Sequence, residues 1–216
     1  MYNIALEILN KISDLGFDAY IVGGYPRDLY LGFNNSDIDM CTNAKYEDLK
    51  DYFLITKGNF GSMRLTYKFY EFEITTFRKE GLYDKNRFPK EIEFVNTLEE
   101  DLERRDFVIN TLCIDKNGEF VDLLGAKKDI DDRIIRCVGD CDYKINQDIL
   151  RSLRAIRFAT ILDFKIDDDL KESIRKYRHL LTNLSDKRKE EELNKILNSS
   201  NKEYGMSLIN ELDISI

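Results

Sequence analysis

The chain has 216 residues, enough for one large domain or two small ones with a real core. Its 43% hydrophobic and 34% charged residues fit a soluble globular protein, and no apolar run approaches the length of a membrane span. The net charge of −8 argues against a protein that coats nucleic acid non-specifically, while leaving room for a local basic face.

Residues 2–15 place Ile4, Ile8, Ile12 and Leu15 on one helical face, and Gly16 is a stop signal. Ala19–Val22 is a short apolar strand. Gly23-Gly24 makes a bend that residues without a Cβ take most cheaply. Pro26 suits a first helical turn and Gly32 closes that helix. Ser36 to Met40 then opens a second strand, with Asp37 and Asp39 side by side at i and i+2 and Ile38 turned into the core. Paired carboxylates at this spacing suit Mg²⁺, which shares its shell with waters and phosphates. The Gly-Gly bend before a helix offers backbone N–H groups to a triphosphate. Taken singly, the two acids read as solvated strand ends and the glycines as a plain turn. The joined pattern GG-x-x-RD-x-x-x-G-(x)₄-DxD is far more specific and describes nucleotidyl transfer by metal ions.

Tyr46–Tyr52 reads as a short helix, and Phe53–Thr56, Met63–Tyr67 and Tyr70–Phe77 read as strands. In the last of these Glu71, Glu73 and Thr75 share one face. Residues 78–91 are polar and read as a mobile loop. Thr97 is placed to cap a helix reaching Arg105. In RRDFVIN (104–110), Arg105, Asp106 and Asn110 supply hydrogen-bonding ends; the competing reading is an ion pair of Arg104 or Arg105 with Asp101. Asn117-Gly118 marks a hairpin between Leu112–Asp115 and Glu119–Asp122. Residues 125–136 lead out of the sheet as a hinge without chemistry.

From Asn146 to Leu162 the periodicity predicts one helix, with Ile149, Leu153 and Ile156 as its apolar stripe. Asp148, Arg151, Arg154 and, obliquely, Arg157 lie on the other side. An Asp and an Arg three apart can present acceptors and a donor fork in a fixed arrangement that matches the Watson–Crick edge of a base. An isolated D-x-x-R would be an ordinary surface pair. Residues 168–197 continue as helices. Between Lys144 and Lys189, 12 Lys/Arg stand against 7 Asp/Glu, so positive charge gathers in the C-terminal third. Cys41, Cys113, Cys137 and Cys141 show no metal-type pairing and His179 is the only histidine, which predicts reduced thiols in a cytoplasmic protein.

The segment GGYPRDLYLGFNNSDIDMCT resembles the first motif of the class II tRNA nucleotidyltransferase (CCA-adding) and bacterial poly(A) polymerase family. FEITTFR (72–78), RRDFVIN (104–110), VDLLGAKKDIDDRIIRCVGD (121–140) and QDILRSLRAIRFA (147–159) continue the resemblance in the family's order. It implies an α+β fold: a polymerase-β-like nucleotidyltransferase head over residues 1–139, with a mixed sheet and flanking helices, and an all-α neck over 140–216. It implies template-independent transfer of CMP or AMP from CTP or ATP to a tRNA 3′ end, with release of pyrophosphate. Asp37 and Asp39 would hold two Mg²⁺, and Glu73 falls where the family places a third acid. Gly23, Gly24, Arg27 and Asp28 would form the triphosphate cradle, with Asp28 orienting Arg27. Arg105, Asp106 and Asn110 would meet the sugar and phosphates, and Asp148 and Arg151, with Arg154 and Arg157 beyond them, the base.

Three departures stand out. Gln147 replaces a family Glu, Gly125-Ala126 replaces two glycines, and the loop pair Asp84 and Arg87 is displaced by one from its Tyr and Pro landmarks. Poly(A) addition and a non-catalytic RNA-binding relative are the alternatives. Longer members continue where this chain stops, so tRNA binding is expected to be weak and salt-dependent unless self-association or a partner supplies the missing domains.

Overall fold

Alternating apolar and polar residues build a seven-stranded mixed sheet. The computed structural model describes residues 1–81, 83–84, 88–89 and 91–214, and they fall into two units. The first takes residues 1–81, 92–105 and 109–127, and the second takes 82–91, 106–108 and 128–216. In chain order the first unit begins with α1 (Tyr2–Asp14), β1 (Ala19–Val22), α2 (Gly24–Tyr30), β2 (Asp39–Thr42) and α3 (Tyr46–Leu49). The strands β3 (Leu54–Lys57), β4 (Ser62–Tyr67), β5 (Tyr70–Thr76) and β6 (Arg78–Glu80) follow. The two-residue strands β7 (Tyr83–Asp84) and β8 (Phe88–Pro89) pair with each other and belong to the second unit. Then come β9 (Ile92–Phe94), α4 (Leu98–Glu103), β10 (Cys113–Ile114) and β11 (Phe120–Val121).

The sheet runs β11-β10-β1-β2-β5-β4-β3. β2 and β5 are parallel, and every other neighbouring pair is antiparallel. One face packs Ile21, Met40, Leu65, Phe72 and Ile74 against Ile8, Leu9 and Ile12 of α1. The other packs Val22, Cys41, Phe77 and Cys113 against Leu98 and Leu102 of α4. The period of two in β5 is visible in its burial: Phe72, Ile74 and Thr76 are buried and Glu71 and Glu73 exposed. The face of α1 centres on Ala5, Ile8, Leu9 and Ile12, because Ile4 and Leu15 are only half-buried. Gly118 takes φ +82° in the expected hairpin. The expected loop is narrower than residues 78–91, because β6 pairs with β9. The side chains of Asp84 and Arg87 lie outside the described residues.

After α5 (Ala126–Asp131), which spans the division between the units, the second unit contains β12 (Ile134–Ile135), α6 (Cys141–Gln147), α7 (Leu150–Leu162), β13 (Lys165–Ile166), α8 (Asp168–Tyr177), α9 (Asp186–Leu197) and α10 (Lys202–Glu211). β12 and β13 pair in parallel, so the neck region expected to be all-α carries one short strand. The single helix expected over 146–162 is two helices. Asp148 is extended (φ −142°, ψ 101°) and its Oδ1 accepts from Leu150 N–H at 3.1 Å, starting α7. The stripe Ile149, Leu153 and Ile156 is at most 1% exposed, but α7 is not amphipathic. Arg151, Ser152, Ala155, Phe158, Ala159 and Thr160 are buried too, as befits a helix surrounded by α6, α9 and α10.

Candidate active site

Local sequence builds the centre of the first unit. Gly23 takes φ +80°, which an L-residue resists, and Gly24 then starts α2. Gly32 closes the turn after α2, with Phe33 N–H donating to Asp28 O at 2.8 Å and φ +77° at Gly32. β2 begins at Asp39, later than the sequence pattern indicates, so Asp37 precedes the strand. Ile38 between them is 4% exposed and buried in the core, as its position predicts.

The sheet register brings Asp39 opposite Val22 on β1 and Glu73 on β5. A Cβ added to Gly23 would stand 3.3 Å from Asp39 Oδ2, so only a bare backbone approaches the carboxylate this closely. Burial pushes the Asp39 carboxyl up to about 6, and the charges of Asp37 and Glu73 add to the rise; Arg105 opposes it. Among the described residues no three His, Cys, Asp or Glu side chains converge to hold an ion unaided. The donor set nonetheless fits Mg²⁺, which is bound through one or two carboxylates with phosphates and waters completing the shell. Asp39 is a half-buried carboxylate with like charges around it, and a cation relieves that arrangement.

A second cluster lies on the other side of the bend. Arg27 is 6% exposed, donates from Nε and Nη2 to Asp28 Oδ1 at 2.8 and 2.6 Å, and donates from Nη1 to Asn110 Oδ1 at 2.6 Å. Asn35 donates to the other Asp28 oxygen at 2.7 Å. A Cβ on Gly24 would be 3.3 Å from Arg27 Nη2. Asp28 therefore does orient Arg27, and Asn110 helps it. Asn35 belongs to none of the sequence motifs; its only signal is the Asn-rich approach to the DxD pair.

The ion pair weighed against a nucleotide role for Arg105 is present. Asp101 is fully buried and accepts from Arg104 Nε at 2.9 Å, from Arg105 Nη2 at 3.1 Å and from Arg78 N–H at 3.2 Å. Thr97 Oγ1 caps this helix by accepting from Glu100 N–H at 3.5 Å.

In the second unit several charged residues are matched in pairs. Asp106 Oδ2 accepts from Arg154 Nε and Nη2 at 2.8 and 2.5 Å. Arg157 donates to Glu192 Oε2 at 2.5 Å and lies 4.0 Å over the Phe158 ring. Arg151 is buried, and its Nη1 donates to Lys144 O and Gln147 Oε1, both at 2.9 Å. Gln147, the residue that departs from the family pattern, thus supports an arginine. Asp148 does not share a helix with Arg151; Arg188 Nη2 lies 3.7 Å from its Oδ2. Burial raises the Asp148 carboxyl above its ordinary range, with Arg188 the main opposing charge. The local basic excess is compensated in space: Arg154, Arg157, Lys176 and Arg178 pair with Asp106, Glu192, Asp142 and Asp213, all outside residues 144–189. Among the described residues no helix is long and apolar enough to cross a membrane.

Comparison with known proteins places these clusters in context. Residues 19–136 match the poly(A) polymerase head domain, and 163–215 match the probable RNA and SrmB-binding site of polymerase A. A CCA-adding enzyme of Ligilactobacillus salivarius is 40% identical over 205 residues, covering 94% of this chain and 51% of that one. The crystal structure of the Bacillus stearothermophilus CCA-adding enzyme in complex with CTP superposes with a TM-score of 0.89 at 34% identity, covering 97% of this chain and 52% of the other. The Thermotoga maritima CCA-adding enzyme complexed with tRNA gives 0.81 at 26% identity, covering 98% and 50%. The chain spans about half the length of the curated relatives it matches. With a family match over more than half its length, and a mixed sheet that carries the expected Gly-Gly and DxD elements, the chain belongs to the poly(A) polymerase head-domain family, which includes the CCA-adding tRNA nucleotidyltransferases.

Proposed function

We propose that this chain is the head and neck of a template-independent RNA nucleotidyltransferase that adds CMP and AMP from CTP and ATP to the 3′ end of tRNA, releasing pyrophosphate. The observation that carries this reading is Asp39. It stands against the bare backbone of Gly23, and burial, with the charges of Asp37 and Glu73 adding to it, pushes its carboxyl up to about 6. Resting ion pairs do not explain such a cluster; a cation-assisted reaction at phosphate does. Similarity to CCA-adding enzymes solved with CTP and with tRNA supports the choice of substrates. The head match over residues 19–136 supports a catalytic domain over 1–139 and a neck over 140–216.

In this reading Asp37 and Asp39 hold two Mg²⁺, and Glu73 contributes the third negative charge. Metal ions so held supply activation of the RNA 3′-oxygen and neutralisation of the leaving phosphates. The chain's own groups do the positioning. Gly23 and Gly24 let the triphosphate approach the backbone, and Arg27 adds positive charge held in one orientation by Asp28 and Asn110. Arg105, anchored by Asp101, and Asp106, anchored by Arg154, serve the sugar and phosphates. Asp148 and Arg151 read the base, with Arg154 and Arg157 keeping that side of the neck polar and ordered.

Poly(A) addition is the second reading, favoured by the description of the matched head domain itself. The deciding experiment incubates the protein with Mg²⁺ and tRNAs ending before, within and after CCA, giving each nucleotide separately. Stepwise addition that stops after CCA supports the proposal, and an open-ended A tail supports the second reading. Magnesium-dependent nucleotide binding without any extension would leave a non-catalytic RNA-binding relative.

A further inference from the structure

The row of side chains that starts at Asp39 does not end at Glu73. β5 pairs with β4 so that Glu73 stands opposite Arg64, and β4 pairs with β3 so that Arg64 stands opposite Thr56. Residues paired in register share a face of the sheet, and Met63 and Leu65 on either side of Arg64 are buried on the other face. Arg64 is therefore on the face that carries Asp39, two strand spacings or about 10 Å away. It is exposed, and among the described residues it makes no hydrogen bond or ion pair, not even with Glu73 beside it. The other arginines of this unit, Arg27, Arg78, Arg104 and Arg105, are all held by carboxylates. A cleft of about 300 Å³ opens at the same place, lined by Gly58, Ser62, Arg64 and Glu73 among others. Lys57 also lines it, but its ammonium is paired with Glu47 at 2.9 Å.

An unpaired guanidinium at the end of a row of acids suits an anion that must come close to those acids, and its planar fork matches a phosphate. The direction of the reaction says which phosphate. Displacement at phosphorus keeps the attacking and leaving oxygens roughly in line. The Gly23-Gly24 bend and Arg27, where the leaving phosphates would lie, follow β1 on one side of Asp39, and β5 and β4 lie on the other. The attacking 3′-oxygen then comes in over Glu73 and the strand that bears Arg64. We infer that Arg64 is an RNA-positioning residue: its guanidinium holds the phosphate between the last two nucleotides of the acceptor, with the terminal sugar in the cleft beside Glu73. The inference rests on the reading of this cluster as a nucleotidyl-transfer site and adds the side from which the RNA enters. A contact to the sugar–phosphate backbone carries no base information, so one anchor serves every step of a successive addition.

The test uses a short acceptor-stem hairpin ending in CC, with ATP and Mg²⁺, in two forms: all-phosphate, and with an uncharged methylphosphonate at the last linkage. Steady-state extension is measured for wild type, Arg64→Ala and Arg64→Lys across a salt series. Loss of one charge-assisted contact to phosphate should raise KM for the RNA about tenfold in Arg64→Ala and leave KM for ATP unchanged. Arg64→Lys keeps the charge without the fork and should fall between the two. The methylphosphonate should cost wild type about the same factor and cost Arg64→Ala little, because the contact it removes is already gone. The salt dependence of KM for the RNA should be shallower in Arg64→Ala by about one phosphate contact. Equal cost of the methylphosphonate in wild type and Arg64→Ala, or a rise in KM for ATP alone, would overturn the inference, while extension by the wild type leaves the transferase reading standing. No extension of the hairpin by wild type with any of the four nucleotides would overturn that reading and the inference with it. The two RNAs are compared within each variant, so a change in the stability of Arg64→Ala cannot mimic the expected result.

Discussion

In the first unit Asp39 faces two more carboxylates, and the arginine whose charge opposes them, Arg105, is bonded to Asp101. In the second unit the central acids face arginines: Asp106 with Arg154, Glu192 with Arg157, Asp148 with Arg188. Both arrangements put charge in partly buried places, where an unmatched charge is costly. The difference is in what completes them. A cluster of acids is completed by a cation that arrives with a substrate, whereas matched pairs are rigid and can present donors and acceptors in a fixed pattern. Chemistry at phosphate suits the first and recognition suits the second.

The most drastic way to break the comparison is to remove the acids. Asp37→Ala or Asp39→Ala should lower nucleotide incorporation by at least about a thousandfold, since metal-assisted charge stabilisation contributes several kcal/mol. Circular dichroism should stay normal, because neither side chain belongs to the hydrophobic core. Extension at wild-type rates would remove the pair from the mechanism, and loss of the fold would make them structural.

Asp101 tests the opposite expectation within the same unit. It is fully buried and holds two arginines, so it resembles the matched acids of the second unit. Asp101→Ala leaves both guanidinium groups without this partner and should cost about 3–5 kcal/mol of stability. A denaturant titration showing less than about 1 kcal/mol would mean that the arginines find other partners or water.

The parts of this site that were legible in the sequence are those with local conformational demands. Gly23 and Gly32 need positive φ, Pro26 fits a first turn, and strand alternation turns Ile38 inward. The pairing of Asp39 with Glu73 depends on β2 and β5 lying side by side in parallel, and only the alternation within β5 hinted at it. Arg27 and Asn110 are 83 residues apart, and no local pattern announces their hydrogen bond. The break at Asp148 went unseen because Ile149, Leu153 and Ile156 keep a helical period across it. Asp is a favoured residue at helix starts, but the apolar stripe outweighed that signal. Arg188 sits in a charge-rich run, SDKRKEEE, whose members look alike until packing brings its guanidinium to 3.7 Å from Asp148.

Arg151 sharpens the comparison on the recognition side. If the second unit reads bases, Arg151→Ala should blur discrimination among CTP, ATP, UTP and GTP more than it slows total incorporation, by about tenfold for a lost bidentate contact. A uniform loss of rate with unchanged ratios would make Arg151 a support for the end of α6, consistent with its bonds to Lys144 O and Gln147.

The smallest effect concerns what the unmatched acid does to stability. The Asp39 carboxyl is raised from 3.8 to about 6, so the folded state keeps this proton over a range in which the unfolded chain has lost it. Its contribution is full below about 3.8 and is lost as pH rises through about 6. Above that, the folded protein carries a charge that burial and its neighbours disfavour. Asp39→Asn removes the charge with little change of shape. In a chelator, the variant should match wild type near pH 4 and gain on it as pH rises to 7, levelling off beyond. Allowing for screening of a side chain that solvent partly reaches, the gain should be about 1 kcal/mol, or roughly 2–4 °C in melting temperature. Adding Mg²⁺ with CTP should raise the wild-type melting temperature more than that of the variant and shrink the gap. A gap of the same size at pH 4 and pH 7.5 would show that the charge of Asp39 is compensated in the folded protein, and the contrast between the two units would then be one of position alone.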